Sequence, residues 1–151
     1  MNKKPLLSCL LLLSVLFITN CSSETNLKGK WNLISSSSEK TREISSWQLP
    51  DSTAEFFSDK KVILPIVHVI FGRVNVAYIE GKWDIQPDGR VKIDLIKYHT
   101  TEGKMVMINP YIDKCLKEGF VIYGEIKGKQ LIIKNDKTGF TDVFSKKGFF
   151  K

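Results

Sequence analysis

Apolar and polar residues alternate along most of the chain after residue 28, and a period of two residues is typical of β-strands that bury one face. In the first such segment, Trp31 and Leu33 fall on one face while Lys30 and Asn32 fall on the other. The glycine at position 81, inside another such run, predicts a bulge or a sharp bend. The pattern predicts further strands at 54–56, 74–78, 82–86, 91–95, 105–108, 120–126, 131–134 and 140–145.

Short turns at 87–89 and 127–129 join strands in sequence order, which predicts an antiparallel meander. The residues after position 20 include 15 Ile and 9 Val but only 7 Leu and 2 Ala, a bias that favours strands over helices. Because one face of each strand is apolar, the sheet must pack on a second layer or close on itself. We therefore predict an all-β fold in which an up-and-down meander of eight or nine strands closes into a small barrel.

Three segments depart from the alternation. The run 62–71 is almost wholly apolar and contains Pro65, which predicts an edge strand with both faces covered, and His68 within it is interpreted as a core histidine. The stretch 36–52 is long for a connection and carries an isolated Trp47. It is either a lid over the mouth of the barrel or a short edge strand. The connection 109–119 is expected to form a helical turn.

The first 20 residues have the pattern of an export signal. Lys3 and Lys4 precede an apolar run from 6 to 18, which is too short to cross a bilayer as a helix. Without this segment the net charge falls from +7 to +5. Cys9 leaves with the signal, and Cys115 has no evident activating partner, so we predict that Cys115 behaves as a small buried hydrophobic residue.

The end of this segment, Ile18-Thr19-Asn20-Cys21, resembles the lipobox of bacterial lipoproteins, with Asn20 in place of the usual Gly, Ala or Ser. In that family the cysteine thiol receives a diacylglyceryl group, the signal is cleaved and the new amino terminus is usually acylated. The resemblance implies lipid attachment at Cys21 and a location in the bacterial cell envelope, at the outer membrane, at a periplasmic face or exposed on the surface. The alternative is an ordinary cleaved signal with Cys21 as a bystander.

The start of the first strand resembles a second family. Gly29 and Trp31 match the Gly-x-Trp signature of lipocalins and of lipocalin-like bacterial lipoproteins, and the resemblance extends over about 27–147. In that family the tryptophan packs across the closed end of the barrel, and the glycine permits close backbone approach. Lipocalins often pack an Arg from near the final strand on this tryptophan, whereas only Lys146 and Lys147 are available here.

Four aromatic residues are candidates for ligand binding. Phe56, Tyr78 and Trp83 alternate correctly for the interior of a barrel, which in small barrels is either filled or holds one small ligand. Trp47 lies in the stretch that would cover the mouth of a lipocalin-like barrel. The alternative interpretation of each is packing: of the core for the first three, and of a short edge strand on the barrel for Trp47.

No pattern of catalytic or metal-ligating residues is found in the sequence. It has no Ser/His/Asp or Cys/His order, no Gly-rich phosphate loop after a strand and no Cys pair with metal-site spacing. We therefore expect no enzymatic activity, no cofactor and no metal. The lysines are spread along hairpins rather than clustered, and together with the export signal this argues against a nucleic-acid partner.

These observations predict a monomeric, membrane-anchored lipoprotein. Its partners would be the membrane, through acyl chains on Cys21, and a small hydrophobic or amphipathic ligand in the barrel. The alternative function is that of a solid barrel whose surface contacts an envelope or host protein. The expected organisation is a signal peptide over 1–20, a lipidated tether over 21–28, a lipocalin-like barrel over 29–147 and a tail over 148–151.

Overall fold

The computed structural model describes residues 24–38, 41–45, 52–100 and 108–146, with the backbone alone for 41–45. The signal, Cys21, Trp47 and the tail therefore lie outside the described residues. The elements, in chain order, are β1 (Gly29–Ser38), β2 (Thr41–Ser45), β3 (Thr53–Phe56), β4 (Lys61–Ile70), β5 (Arg73–Ile85), β6 (Val91–Tyr98), α1 (Pro110–Glu118), β7 (Phe120–Lys127), β8 (Gln130–Asn135) and β9 (Phe140–Lys146).

The strands form one antiparallel sheet that closes on itself. β3 to β9 pair in sequence order, and β1 pairs with β9 from Trp31 opposite Lys146 to Ser38 opposite Phe140. β2 and β3 occupy successive parts of the other edge of β1, where β2 pairs with 35–38 and β3 with 29–32. Nine strand segments therefore make an eight-stranded barrel, which confirms the predicted all-β fold.

Alternate residues of the strands fill the barrel interior, as the period-two pattern predicts. The Glu80–Gly81 bulge in β5 also confirms the irregularity expected at Gly81. A Cβ atom on Gly81 would lie 2.4 Å from the Asp94 carbonyl oxygen, so the backbones of β5 and β6 approach too closely for a side chain. The largest fully buried side chains are Trp31, Trp83, Phe56, Phe120, Phe144, Leu27, Leu64, Ile66, Ile79, Ile93, Ile112 and Leu131.

The apolar run around Pro65 forms β4, and five consecutive residues, 64–68, are buried. Burial on both faces confirms the prediction of a strand covered on both sides. β4 pairs with β5 along its whole length, but its pairing with β3 ends at Ile63. Within the described residues this edge of β4 has no ladder partner beyond Ile63, which fits a proline that has no N–H to donate.

The expected helical turn at 109–119 is a helix of nine residues, α1. The Asn109 side chain caps it by accepting hydrogen bonds from the amides of Tyr111 and Ile112, and Pro110 occupies the first turn. Cys115 packs in the core, as predicted. Of the strand predicted at 105–108, only Ile108 is described, and it lies in an irregular, exposed segment instead.

The barrel has two ends of different construction. We call one the closed end: it carries residues 24–28 and the connections 57–60, 86–90 and 128–129. We call the other the helix end: it carries α1 and the connections 71–72 and 136–139. Over the described ranges, no helix has the length and apolar character that a bilayer crossing needs.

Candidate functional site

Phe56 and Trp83, two of the predicted ligand-binding residues, contact each other inside the barrel. Their ring centroids lie 6.1 Å apart at an interplanar angle of 72°, an edge-to-face contact, and each residue is 2% exposed. The Trp83 indole N–H donates to the Phe57 carbonyl oxygen at 3.2 Å. This pair therefore packs the core near the closed end, and its role in ligand binding stays a prediction.

Tyr78 does not join that pair inside the barrel. It lies between Ala77 and Ile79, which are both buried in the core cluster, so its side chain is on the opposite face of β5 and half-buried. The expectation that Tyr78 lines the barrel interior is therefore wrong. The inward residues of this part of β5 are small or aliphatic, whereas the outward ones are Val74, Val76 and Tyr78. Because the outward stripe is the larger of the two, the alternation assigns it to the interior by mistake. Trp47 lies outside the described residues.

The closed end is organised around Trp31. Its indole N–H donates to the Leu27 carbonyl oxygen at 2.7 Å, so residues 24–27 cover this end of the core. The Lys146 ammonium lies 5.6 Å from the centroid of the Trp31 ring. The Lys60 ammonium lies 4.3 Å from the centroid of the Trp83 ring. Each of these two buried tryptophans therefore makes a cation–π contact with a lysine.

The interior becomes polar towards the helix end. Asp142 is 2% exposed and lies on the inward face of β9 between Phe140 and Phe144. Its Oδ1 accepts a hydrogen bond from the Ser36 hydroxyl at 2.6 Å. Burial disfavours the carboxylate and raises the pKa of Asp142 to about 7, although the Ser36 hydrogen bond acts in the opposite direction.

The two histidines have different surroundings. His68 is buried, as expected, with Nδ1 3.2 Å from the Ile66 carbonyl oxygen, and desolvation lowers its pKa. His99 is half-buried, and its Nδ1 lies 2.8 Å from Glu80 Oε1. The hydrogen bond from His99 is the main cause that holds the pKa of Glu80 below its usual range.

Two adjoining clefts open at the helix end. One, of about 360 Å³, lies between the end of β4, the start of α1 and the 136–139 connection, and the other, of about 600 Å³, lies along the β8–β9 hairpin. Both clefts are lined by Ser38, Lys137, Thr138 and Phe140. The remaining walls of the smaller cleft are His68, Val69, Ile70, Asn109, Pro110 and Tyr111.

Two polar groups beside these clefts lack hydrogen-bond partners among the described residues. The Asn135 side chain is 1% exposed, and its Oδ1 accepts from the backbone amides of Lys137 and Thr138, both at 3.2 Å. Its Nδ2 therefore points away from that turn, and neither Nδ2 nor the buried Thr138 hydroxyl meets a described partner. Buried polar groups are nearly always hydrogen-bonded, so a donor and a hydroxyl without partners are unusual in a cleft wall.

Sequence reasoning did not identify Asn135 or Thr138. The segment 135–139 has the composition of an ordinary hairpin turn, in which Asn and Gly are expected. A further signal was present at the other side of the cleft, where Asn109 and Pro110 form a helix-start pattern.

Comparison of the chain with protein-family models, with curated proteins and with solved structures gives no match. In the part of the chain that the structure describes, no three His, Cys, Asp or Glu side chains are grouped so that they could hold a metal ion. The arrangement at the helix end offers hydrogen bonds and an apolar wall, which suit noncovalent binding of a small molecule.

Proposed function

We propose that the mature chain is a lipid-anchored protein of the bacterial cell envelope that binds a small amphipathic ligand at the helix end of its barrel. The anchor rests on the lipobox-like sequence that ends at Cys21. The binding activity rests on the two clefts at the helix end. The observation that carries it is that Asn135 Nδ2 and Thr138 Oγ1, beside an apolar wall, have no hydrogen-bond partner among the described residues.

The chemistry of the clefts defines the ligand class. Val69, Ile70 and Phe140 offer apolar surface in the smaller cleft, and Asn135, in the wall of the larger one, offers a donor that only an acceptor atom satisfies. Lys137 lines both clefts, and its positive charge favours an acceptor that carries negative charge. The ligand is therefore expected to combine a short apolar body with a carbonyl, carboxylate or phosphate group.

The barrel interior near the closed end supports this location. Trp31, Phe56 and Trp83 fill it, and none of the three lines either of the two clefts at the helix end. A ligand therefore finds space at the helix end, in clefts that fall in the size range of small-molecule sites.

Native mass spectrometry of the purified non-acylated chain, in which Cys21 is replaced by serine, tests the binding activity. We expect a small molecule to remain bound, or to bind when an envelope lipid extract is added. Thr138→Val and Asn135→Asp remove the hydroxyl and the amide donor with little change of shape, and each is expected to weaken binding by about fivefold or more. Thr53→Val, at the closed-end half of the barrel, is the matched control. Absence of any bound species, or equal binding by all variants, would refute the site.

A second function is favoured by one observation, the tip of the β4–β5 hairpin. Phe71 is 100% exposed there, with Val69 at 43% and Val74 at 38%. β5 pairs with β6 only from Ile79 onwards, so this tip extends past the neighbouring strand. Exposed apolar groups of this kind suit contact with a protein partner, as in the solid-barrel alternative. A photo-crosslinking residue placed at position 71 in living cells would detect that partner. If the same residue at position 137 or 111 gave the same crosslink with equal yield, the hairpin tip would not be the contact site.

A further inference from the structure

Residues 24–28 fix the place where the chain enters the barrel. Leu27 is fully buried, and its carbonyl oxygen accepts the hydrogen bond from Trp31. The Lys146 ammonium donates to the Asn26 carbonyl oxygen at 2.6 Å. These contacts join the residues before β1 to the first and the last strand of the barrel at the closed end.

A separate set of contacts holds the start of this segment. Glu24 forms an ion pair with Lys60, whose ammonium also lies 3.6 Å from Asp84 Oδ1. The same ammonium lies over the Trp83 ring. Glu24 is therefore held at the closed end by the connection between β3 and β4.

Cys21 precedes Glu24 by three residues, and a chain of three residues spans at most about 11 Å. The lipid-bearing residue is thus confined to the neighbourhood of the closed end by covalent reach alone. The docked contacts of Asn26 and Leu27 also mean that much of the tether expected over 21–28 is part of the domain. The barrel therefore has little freedom to turn its helix end towards the anchor.

The charge of the closed end suits a lipid surface. Among the described residues of its connections and strand ends, the acidic ones are Glu24, Asp59, Asp84, Asp88 and Glu125, fewer than the basic ones. Among the described residues of the helix end, acidic and basic residues nearly balance, because the two acids of α1 match its two lysines and Asp136 matches Lys137. The basic residues of the closed end are Lys28, Lys60, Lys61, Arg90, Lys127, Lys129 and Lys146.

We propose that the closed end rests on an anionic lipid surface and that the helix end, with its clefts, faces away from that membrane. This orientation rests on the proposed lipid attachment at Cys21. In this orientation the ligand site opens to the aqueous side. A ligand therefore reaches the site from the solvent and does not have to pass through the membrane that holds the anchor.

Energy transfer from single labels to acceptor lipids tests the orientation in the full acylated chain reconstituted in vesicles. β5 has 13 residues, which at about 3.3 Å each and a tilt of about 40° span roughly 33 Å along the barrel. In a Cys115→Ala background, Gln130→Cys labels the closed end and Phe71→Cys labels the helix end. We expect strong transfer from position 130 and weak transfer from position 71. Equal transfer, or stronger transfer from position 71, would overturn the orientation.

Binding of the non-acylated chain to vesicles tests the charged surface without the anchor. With about a quarter phosphatidylglycerol in phosphatidylcholine, we expect Lys127→Gln together with Lys129→Gln to lower the binding constant by about tenfold. The matched control, Lys114→Gln with Lys117→Gln on α1, removes the same charge and is expected to change binding less than about twofold. Equal losses, or no binding to the anionic vesicles, would count against the proposed surface. Intact mass measurement of the native chain decides separately whether Cys21 is acylated, so failure of the anchor and failure of the orientation are distinguishable.

Discussion

The buried carboxyl of Asp142 makes the stability of the barrel depend on pH in a direction opposite to that of an ordinary aspartate. Its pKa is about 7 in the folded chain, against 3.8 for a solvated aspartate. Between these two pH values the folded state keeps the proton and the unfolded state releases it. The free energy of unfolding is therefore highest below about pH 4 and falls as the pH rises to about 7. At about 1.4 kcal/mol per pH unit, the loss is about 4 kcal/mol in total.

Asp142→Asn removes this titration and keeps the shape of the side chain. The asparagine Oδ1 still accepts the Ser36 hydroxyl, but its amide group needs an acceptor, which costs about 1–3 kcal/mol if none is found. At pH 4 the variant is therefore expected to be as stable as the native chain or less stable by about 1–3 kcal/mol. At pH 8 it is expected to be more stable by about 1–3 kcal/mol, because the native chain there buries a charge.

Urea unfolding of the non-acylated chain, followed by tryptophan fluorescence at several pH values, measures this difference. Subtracting the two curves removes the contribution of His68, whose lowered pKa reduces stability as the pH falls below 6.5. Ser36→Ala is a useful companion, because loss of its hydrogen bond raises the pKa of Asp142 further and extends the unstable range to higher pH. If the native chain and Asp142→Asn had parallel stability profiles, the argument from burial would be refuted.

Four further substitutions test the fold. Gly81→Ala forces a Cβ to within 2.4 Å of the Asp94 carbonyl oxygen and should cost about 3 kcal/mol in urea unfolding. A Cβ on Gly124 would instead lie 3.0 Å from Leu131 Cδ1 and 3.2 Å from Ile133 Cγ1, which are side-chain atoms, so Gly124→Ala should cost less. Asn109→Ala removes the cap of α1 and should cost about 1 kcal/mol, and an unchanged urea midpoint would show that the cap contributes nothing. Leu27→Ala should cost about 2–5 kcal/mol and speed proteolysis before β1, unless residues 24–28 contribute little to the closed end.

The barrel was predictable because its strands bury one face and turn sharply. In β6, Val91, Ile93 and Leu95 are buried, as the alternation predicts. Tyr78 shows where the same reasoning fails. On β5 the inward positions include Ala77 and Gly81, which contribute little hydrophobicity, so the larger residues on the outer face dominated the pattern.

The candidate site was not predictable, because its residues contradict the rule that polar side chains face water. Asp142 occupies an inward position of β9 between Phe140 and Phe144, and Asn135 follows the inward Ile133 on β8. The alternation marks these positions as interior but gives no reason for a polar residue there. Only the closure of β9 on β1, which brings Ser36 to Asp142 across 106 residues of sequence, supplies that reason.

The division of the interior into an aromatic part and a polar part explains how the barrel tolerates groups that destabilise it. A buried donor such as Asn135 Nδ2, which has no partner in the described part of the chain, costs about 1–3 kcal/mol, and the buried Asp142 carboxyl adds a further cost at neutral pH. The well-packed closed end, with Trp31 and Trp83 fully enclosed, offsets these costs. Under the proposed function, a ligand that satisfies Asn135 would remove part of this penalty only when it is bound, so the same groups that weaken the empty barrel would increase its preference for an acceptor-bearing ligand. Residues that reduce stability at the helix end are thus the ones expected to provide specificity.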